Sequence, residues 1–304
     1  MGGGPMLADP ILRPAVAADA APLAALWATA FTPPLRPDQW LVDAERFAHT
    51  IVAVDDEGVI GSIYGLPKRL REDGGAAAAV HCIGSVAVAD RARGRGIARR
   101  LVAATLEAAE HSGADWVLLF TGTPDVYRSS GFETFAMRRA LAGPWRDAAE
   151  TSDVEVRRSP VSAETLASLA VVYERSRSGV VLAPVRSPQD WAMATVRLDG
   201  MTLYRLADGY ALAQARDGLG TVAELVAPTD GRTGALLGEI AADWRDAGVL
   251  RCDIAIPDRA ADLAAVRAFA PAAEWTPDAT GMTRPLGRTP RITGIRHFGA
   301  ADYF

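Results

Sequence analysis

The chain has 304 residues, 49% hydrophobic and 23% charged, which are the proportions of an ordinary globular protein with room for two domains of about 150 residues. A formal net charge of −5 with no extended basic arm argues against a nucleic-acid binder. No apolar run approaches the roughly 18 residues of a membrane helix, and Met1-Gly2-Gly3-Gly4-Pro5-Met6 lacks the pattern of a signal peptide, so a cytoplasmic protein without membrane partners is expected.

Residues 1–8 read as a disordered tail. Ile11-Leu12-Arg13-Pro14 reads as a strand, and Asp19 sits where a helix N-cap would. The helix runs to about Phe31 with Leu23, Leu26, Trp27 and Ala30 on one face, and the prolines of 32–37 break it. A second helix is predicted over 38–48, with Trp40, Leu41, Ala44 and Phe47 at helical spacing. Residues 51–54 and 59–66 read as a hairpin around a solvated turn, Asp55-Asp56-Glu57-Gly58, and 77–89 as the next strand.

That strand leads through Asp90-Arg91-Ala92-Arg93-Gly94-Arg95-Gly96 into a helix from Ile97 to about His111. Such a turn aims several backbone N–H groups at one spot on the positive end of a helix dipole. Gly94 and Gly96 lack Cβ, so a bulky anion can approach the main chain, and Arg91, Arg93 and Arg95 add positive charge. The physical reading is a pyrophosphate cradle, neither a Walker loop nor a Rossmann turn. A short apolar strand, 116–120, and Tyr127-Arg128-Ser129-Ser130-Gly131-Phe132 follow.

Arg91-x-x-Gly94-x-Gly96 resembles the (Gln/Arg)-x-x-Gly-x-(Gly/Ala) signature of the GNAT acetyltransferase superfamily, and Tyr127 to Phe132 resembles the Tyr-x-x-x-Gly-Phe that ends its core. The resemblance implies an α/β fold with a mixed, largely antiparallel sheet flanked by helices, and acetyl transfer from acetyl-CoA to an amine through a tetrahedral intermediate. It assigns the cofactor to the main chain of Val86, Ala87 and Val88 and to the cradle, Arg91, Arg93, Gly94, Arg95, Gly96, Ile97, Ala98 and Arg99. N–H groups near Val86 would stabilise the oxyanion. It also makes Tyr127 the general acid for the departing thiolate, a role that suits a phenol still protonated at neutral pH.

The second half reads as a damaged copy. A strand over 154–158, a helix over 162–175, a helix opened by Ser187-Pro188, a hairpin around Asp208-Gly209, and a strand over 222–228 leading to a helix ending near Ala247 repeat the order of the first. Setting Val88 on Val226 places Gly96 on Gly234, but Gly94 on Arg232 and Arg91 on Thr229. A side chain at 232 would crowd a pyrophosphate, so the second domain is expected not to bind CoA and to shape an acceptor pocket at the interface instead. The predicted organisation is a catalytic GNAT domain over 9–150, a degenerate one over 151–287 and a tail over 288–304.

An intact and a decayed GNAT domain ending in an aromatic carboxyl terminus resemble the enhanced-intracellular-survival family, whose members acetylate amines, including aminoglycosides, assemble as hexamers and usually carry a third, sterol-carrier-like domain. No such domain is expected after Arg284-Pro285-Leu286. The resemblance implies a homo-oligomer and makes the terminal carboxylate, here that of Phe304, the general base. A positioned carboxylate can serve when desolvation lowers the amine's pKa.

The favoured acceptor is a small cationic amine, aminoglycoside- or polyamine-like, since negative net charge suits cations. Alternatives are a non-catalytic acyl-CoA-sensing module and a peptide or protein N-acetyltransferase. His81 lies near the cofactor strand but, as a lone strand histidine, reads as packing. Cys82 has no partner pattern for a nucleophile, and with Cys252 is too isolated to suggest a metal site. Phe31 to Trp40 offer a lesser candidate lining for the acceptor pocket.

Overall fold

The computed structural model describes residues 9–35, 43–146 and 154–304, and within these the chain forms two seven-stranded sheets. The tail over 1–8 and the start of the helix predicted over 38–48, with Trp40 and Leu41, lie outside the described residues.

The first sheet is built from β1 (Ile11–Pro14), β2 (Thr50–Asp55), β3 (Gly58–Arg71), β4 (Ala77–Val88), β5 (Trp116–Phe120) and β6 (Glu133–Thr134), with α1 (Ala20–Ala30) and α2 (Ile97–His111) packed on it. β1 to β4 pair antiparallel in succession, and only β4 and β5 run parallel, with Val80 to Ile83 opposite Trp116 to Leu119. On α2, Ile97, Leu101, Val102, Thr105, Leu106 and Ala109 are buried at helical spacing. Gly61 lets that helix settle on β3: a methyl there would meet Ile97 at 3.0 Å and Leu101 at 3.1 Å.

Two local expectations give way to turn chemistry. Asp19 does not cap α1; its carboxylate accepts from Val16 N at 2.8 Å and binds Arg13 at 2.6 and 2.9 Å, which secures the preceding turn instead. Residues 43–49 form turns rather than helix, because Asp43 accepts from Glu45 N and main-chain bonds such as Arg46 N to Asp43 O tighten the chain.

After α3 (Asp125–Arg128) and β7 (Met137–Pro144), the second half supplies β8 (Arg157–Pro160), α4 (Ala163–Ala167), α5 (Ala170–Ser176), α6 (Pro188–Arg197), β9 (Thr202–Arg205), β10 (Tyr210–Arg216), β11 (Leu219–Val226), α7 (Asp230–Asp246), β12 (Arg251–Ile254), α8 (Ala260–Phe269), β13 (Glu274–Asp278) and β14 (Gly281–Pro285). The opening strand lies slightly later than the predicted 154–158, and the helix predicted over 162–175 breaks at Ser168 into α4 and α5. β11 ends at Val226 and runs parallel to β12 alone, as β4 ends at Val88 and runs parallel to β5. Both sheets are mixed and largely antiparallel, as the fold-class expectation has it.

The sheets cross the sequence boundary at 150. β7, from the first half, lies between β13 and β12 of the second sheet; β14, from the second half, lies between β5 and β6 of the first. Division at 150/151 follows chain order, whereas hydrogen bonding exchanges one strand each way, so each lobe's sheet is completed by the other's chain.

Candidate active site

Where β4 leaves the first sheet it becomes irregular. Its register with β3 shifts between Ser62 and Tyr64, and Ser85 takes a left-handed φ of 49°. Its pairing with β5 ends at Ile83, so the two strands part beyond Gly84. Val86 and Val88 face the α2 side of the sheet, and Ala87 packs with Leu23 and Trp27 on the α1 side.

The cradle follows. Gly94 and Gly96 have φ of 77° and 73°, values that favour glycine, and Gly96 is the N-cap of α2, with no side-chain cap on the first-turn N–H groups among the described residues. A Cβ on Gly94 would enter open space, with nothing within 4 Å, and one on Gly96 would approach only Arg99 Nη2 at 3.7 Å. The space and the donors fit a pyrophosphate, which Ile97, Ala98 and Arg99 at the start of α2 would also border.

The arginines are less free than their number suggests. Arg91 donates to Asp55 at 2.7 and 3.0 Å and lies 3.4 Å from Glu57; Arg95 lies 3.6 Å from the same Asp55, and exposed Arg93 pairs with Asp90 at 2.9 Å. The Arg91 hydrogen bond holds the Asp55 carboxyl below its usual range. Asp55 is therefore a brace for one wall of the cradle rather than part of a solvated turn.

In the second lobe the cradle is absent for a reason other than crowding. α7 begins at Asp230, with Thr229 as N-cap accepting from Arg232 N at 3.3 Å, so Gly231 to Gly234 lie inside the helix. Helix replaces the anion-binding loop, Asp230 puts negative charge in its first turn, and Arg232 points to Asp208 at 3.5 Å.

Tyr127 stands on α3, close after the end of β5. It is 8% exposed among the α2-side core, its ring edge-on to Phe132 at 6.0 Å, and its hydroxyl makes no hydrogen bond among the described residues. Burial raises its pKa.

The carboxyl terminus packs into the parting of β4 and β5. A methyl on Gly84 would lie 2.7 Å from the Phe304 carbonyl oxygen, 3.0 Å from its carbon and 3.2 Å from its ring. Phe298, Tyr303 and Phe304 gather on Phe120, with ring centroids 5.0, 4.9 and 6.2 Å away. On the second sheet, beside the tail, a cavity of about 690 Å³ is lined by Tyr303, Thr221, Arg139, Arg197, Asp253 and Asp278, among others. Burial raises the Asp253 pKa against the pull of Arg139, 3.5 Å away.

One cluster escaped sequence reasoning. Tyr64 donates to Asp43 at 2.7 Å, His49 Nδ1 lies 3.1 Å from the same oxygen, and Arg46 sits 3.6 Å above the Tyr64 ring and 5.0 Å from that of Trp27 while donating to Ser85 Oγ at 3.0 Å. Burial pulls Arg46 down to about 10; burial pushes Asp43 up, but bonds from His49 and Tyr64 hold it below the usual carboxylate range. These residues come together only when the 43–49 turns fold over β3, and their spacing carries no motif. His81 is a buried packing group: its Nε2 would lie 2.1 Å from a Cβ on Gly65, neither nitrogen is bonded among the described residues, and burial lowers its pKa to about 4.

Residues 12–135 match the family described as an acetyltransferase (GNAT) domain. The chain carries a GNAT acetyltransferase domain. Its two-lobed fold is similar to a GCN5-related N-acetyltransferase from Kribbella flavida (21% identity, TM-score 0.74, over 94% of this chain and 73% of that one) and to one from Anabaena variabilis (18%, 0.72, 91% and 72%). Eis1 from Mycobacterium abscessus is similar over 91% of this chain and 73% of its own, at 18% identity and a TM-score of 0.66. No curated protein matches the chain in sequence. The first lobe is thus that of an acetyl-CoA-dependent N-acetyltransferase. Among the described residues no helix is long and apolar enough to cross a membrane.

Proposed function

We propose that the chain transfers the acetyl group of acetyl-CoA to a primary amine of a small cationic acceptor, aminoglycoside- or polyamine-like, with Tyr127 as general acid and the Phe304 carboxylate as general base. The observation that carries this reading is the terminal carboxyl group lying against Gly84, ahead of Val86 to Val88, with its neighbour Tyr303 lining the cavity on the second sheet.

The donor supplies an acetyl group activated as a thioester. Gly94, Gly96 and the first turn of α2 would hold its pyrophosphate, and the main chain of Val86 to Val88 its pantetheine arm. The Phe304 carboxylate takes a proton from the incoming ammonium, freeing its lone pair to form the C–N bond. N–H groups at the irregularity near Val86 face the developing oxyanion. As the C–S bond breaks, the Tyr127 hydroxyl gives its proton to sulfur, and the second proton of the attacking nitrogen leaves through solvent and restores the Tyr127 phenol, so the products are a neutral amide and the free thiol. Burial keeps that hydroxyl protonated at neutral pH, the state an acid needs. For the acceptor, Asp253 and Asp278 supply cavity carboxylates that suit additional ammonium groups, and Arg139 and Arg197 limit how many the cavity accepts.

Removing Tyr303 and Phe304 tests the reading. Acetyl transfer to a panel of amines, followed by thiol release, should fall by about 10² to 10⁴ while calorimetric acetyl-CoA binding persists. Unchanged turnover refutes the base; tight acetyl-CoA binding without turnover of any amine points to a sensing module.

A further inference from the structure

The tail that ends at Phe304 is fastened deep in the second lobe. Asp302, 4% exposed, accepts from Arg186 Nε at 2.7 Å. The terminal nitrogens of Arg186 grip Glu224 at 3.2 and 2.5 Å, and its guanidinium lies between the rings of Tyr173 and Trp191, 3.9 and 4.5 Å from their centroids. Arg177 stands 4.0 Å from Glu224, and the Tyr210 hydroxyl donates to it. Two guanidinium groups thus balance two carboxylates in an interior where the Arg186 side chain has no exposure.

The chain reaches this cluster through a close corner. Asp302 N donates to Gly299 O at 3.0 Å, and a methyl on Gly299 would lie 3.1 Å from Asp302 Oδ2. Ala301 enters the second lobe's core beside Leu166 and Tyr173, while Phe298, Tyr303 and Phe304 rest on the core that holds Trp116 and Leu118 of β5. The last two residues therefore form a short arm from an anchor in one lobe to Gly84 in the other. A free chain end otherwise frays. A buried ion pair adds little net stability, and its best-attested use is to impose one arrangement on the chain. Three fixed N–H directions of a guanidinium, spent on two carboxylates, do that better than a point charge.

We propose that Arg186 and Asp302 are positioning residues for acetyl transfer, the second lobe acting as a clamp that sets the Phe304 carboxylate at Gly84. The inference rests on the reading of Phe304 as general base. It also assigns work to a lobe that has lost the cradle: its interior retains buried charge that the first lobe's chemistry uses at a distance.

Asp302→Ala tests it in the full chain. kcat should fall about 10²-fold, the cost of misplacing a catalytic group by about 1 Å, with acetyl-CoA affinity unchanged. The loss should shrink as pH rises toward the acceptor's pKa, where the amine deprotonates without help; a merely structural role would not move with pH in this way. Adding Asp302→Ala to the chain that lacks Tyr303 and Phe304 should cost nothing further. If removal of the two residues abolishes transfer while Asp302→Ala leaves kcat intact, or if the two losses multiply, the clamp is overturned and the base stands. If their removal has no effect, the base reading fails and the clamp with it. Should the alanine variant not fold, Gly299→Val keeps every charge and pushes on Asp302 directly; it should show the same pH-dependent loss, and an intact kcat would overturn the proposal.

Discussion

Gly84→Ala is the smallest change that interrogates the proposed base. Gly84 lacks the positive φ that disfavours side chains, so alanine is tolerated by the main chain, and the effect comes from one methyl group. That methyl would stand 2.7 Å from the Phe304 oxygen and 3.0 Å from its carbon, against 3.4 Å for an ordinary contact, a shortfall of about 0.7 Å at the oxygen. β4 is paired with β3 on one side and cannot yield as readily as a chain end, so the carboxylate is what moves. Since about 1 Å of misplacement costs on the order of 10²-fold, kcat should fall by roughly 10- to 100-fold. Removal of the last two residues sets the ceiling. Initial rates of thiol release at saturating acetyl-CoA measure kcat, and titration calorimetry checks that the cradle still binds. A kcat within about twofold of wild type, with binding intact, would refute the reasoning, because an ångström-scale shift would then leave proton transfer untouched.

Tyr127→Phe should lower kcat by about 10² or more without loss of thermal stability, since the phenol makes no hydrogen bond among the described residues; near-normal turnover removes it from the mechanism. Gly94→Glu should abolish acetyl-CoA binding, because its side chain enters the pyrophosphate space and its φ of 77° disfavours any Cβ, and wild-type calorimetry should show one site per chain. Two sites would contradict the reading of the second lobe, where helix fills the place of the loop. Stability should fall on mild acidification: burial holds His81 near 4 and His297 near 3, both below the 6.5 of the unfolded chain, so their contribution is complete above pH 6.5 and is lost as pH drops toward those values. Each gives a slope of about 1.4 kcal/mol per pH unit, so urea unfolding at pH 5 should show on the order of 4 kcal/mol less stability than at pH 7, and equal stabilities would refute the buried neutral state.

The parts of this architecture that the sequence displays are local. The cradle lies within one strand–turn–helix, so the absence of Cβ at 94 and 96 and the apolar spacing of Ile97, Leu101 and Val102 are readable without knowing the rest. α2 and β5 end where the spacing puts them because a 15-residue amphipathic helix and a five-residue apolar run leave little choice. What is not displayed depends on partners far along the chain. Asp55 braces Arg91 across 36 residues, and Asp302 meets Arg186 across 116. A charged residue in a turn and one near a terminus both look solvated until the fold brings a guanidinium to them. The missing second cradle was legible as lost glycine and arginine, but its cause was not, because helix propensity at Thr229-Asp230 decides the matter rather than the bulk of Arg232.

The exchange of β7 and β14 was hidden for the same reason and has the largest consequence. Neither strand is among the elements read from the sequence, and nothing in eight or five residues says which sheet edge will accept it. In place, β14 covers β5 along Trp116 to Phe120, and β7 stands between β12 and β13. The lobes then cannot drift apart without breaking both sheets. That rigidity is what the proposed base, delivered from one lobe to a thioester held by the other, requires, because an arm two residues long transmits any motion of its anchor. Strand exchange, the buried Arg186–Asp302 contact and the open space left by Gly84 are thus three parts of one arrangement: the first locks the lobes, the second fixes the tail, and the third admits its carboxylate.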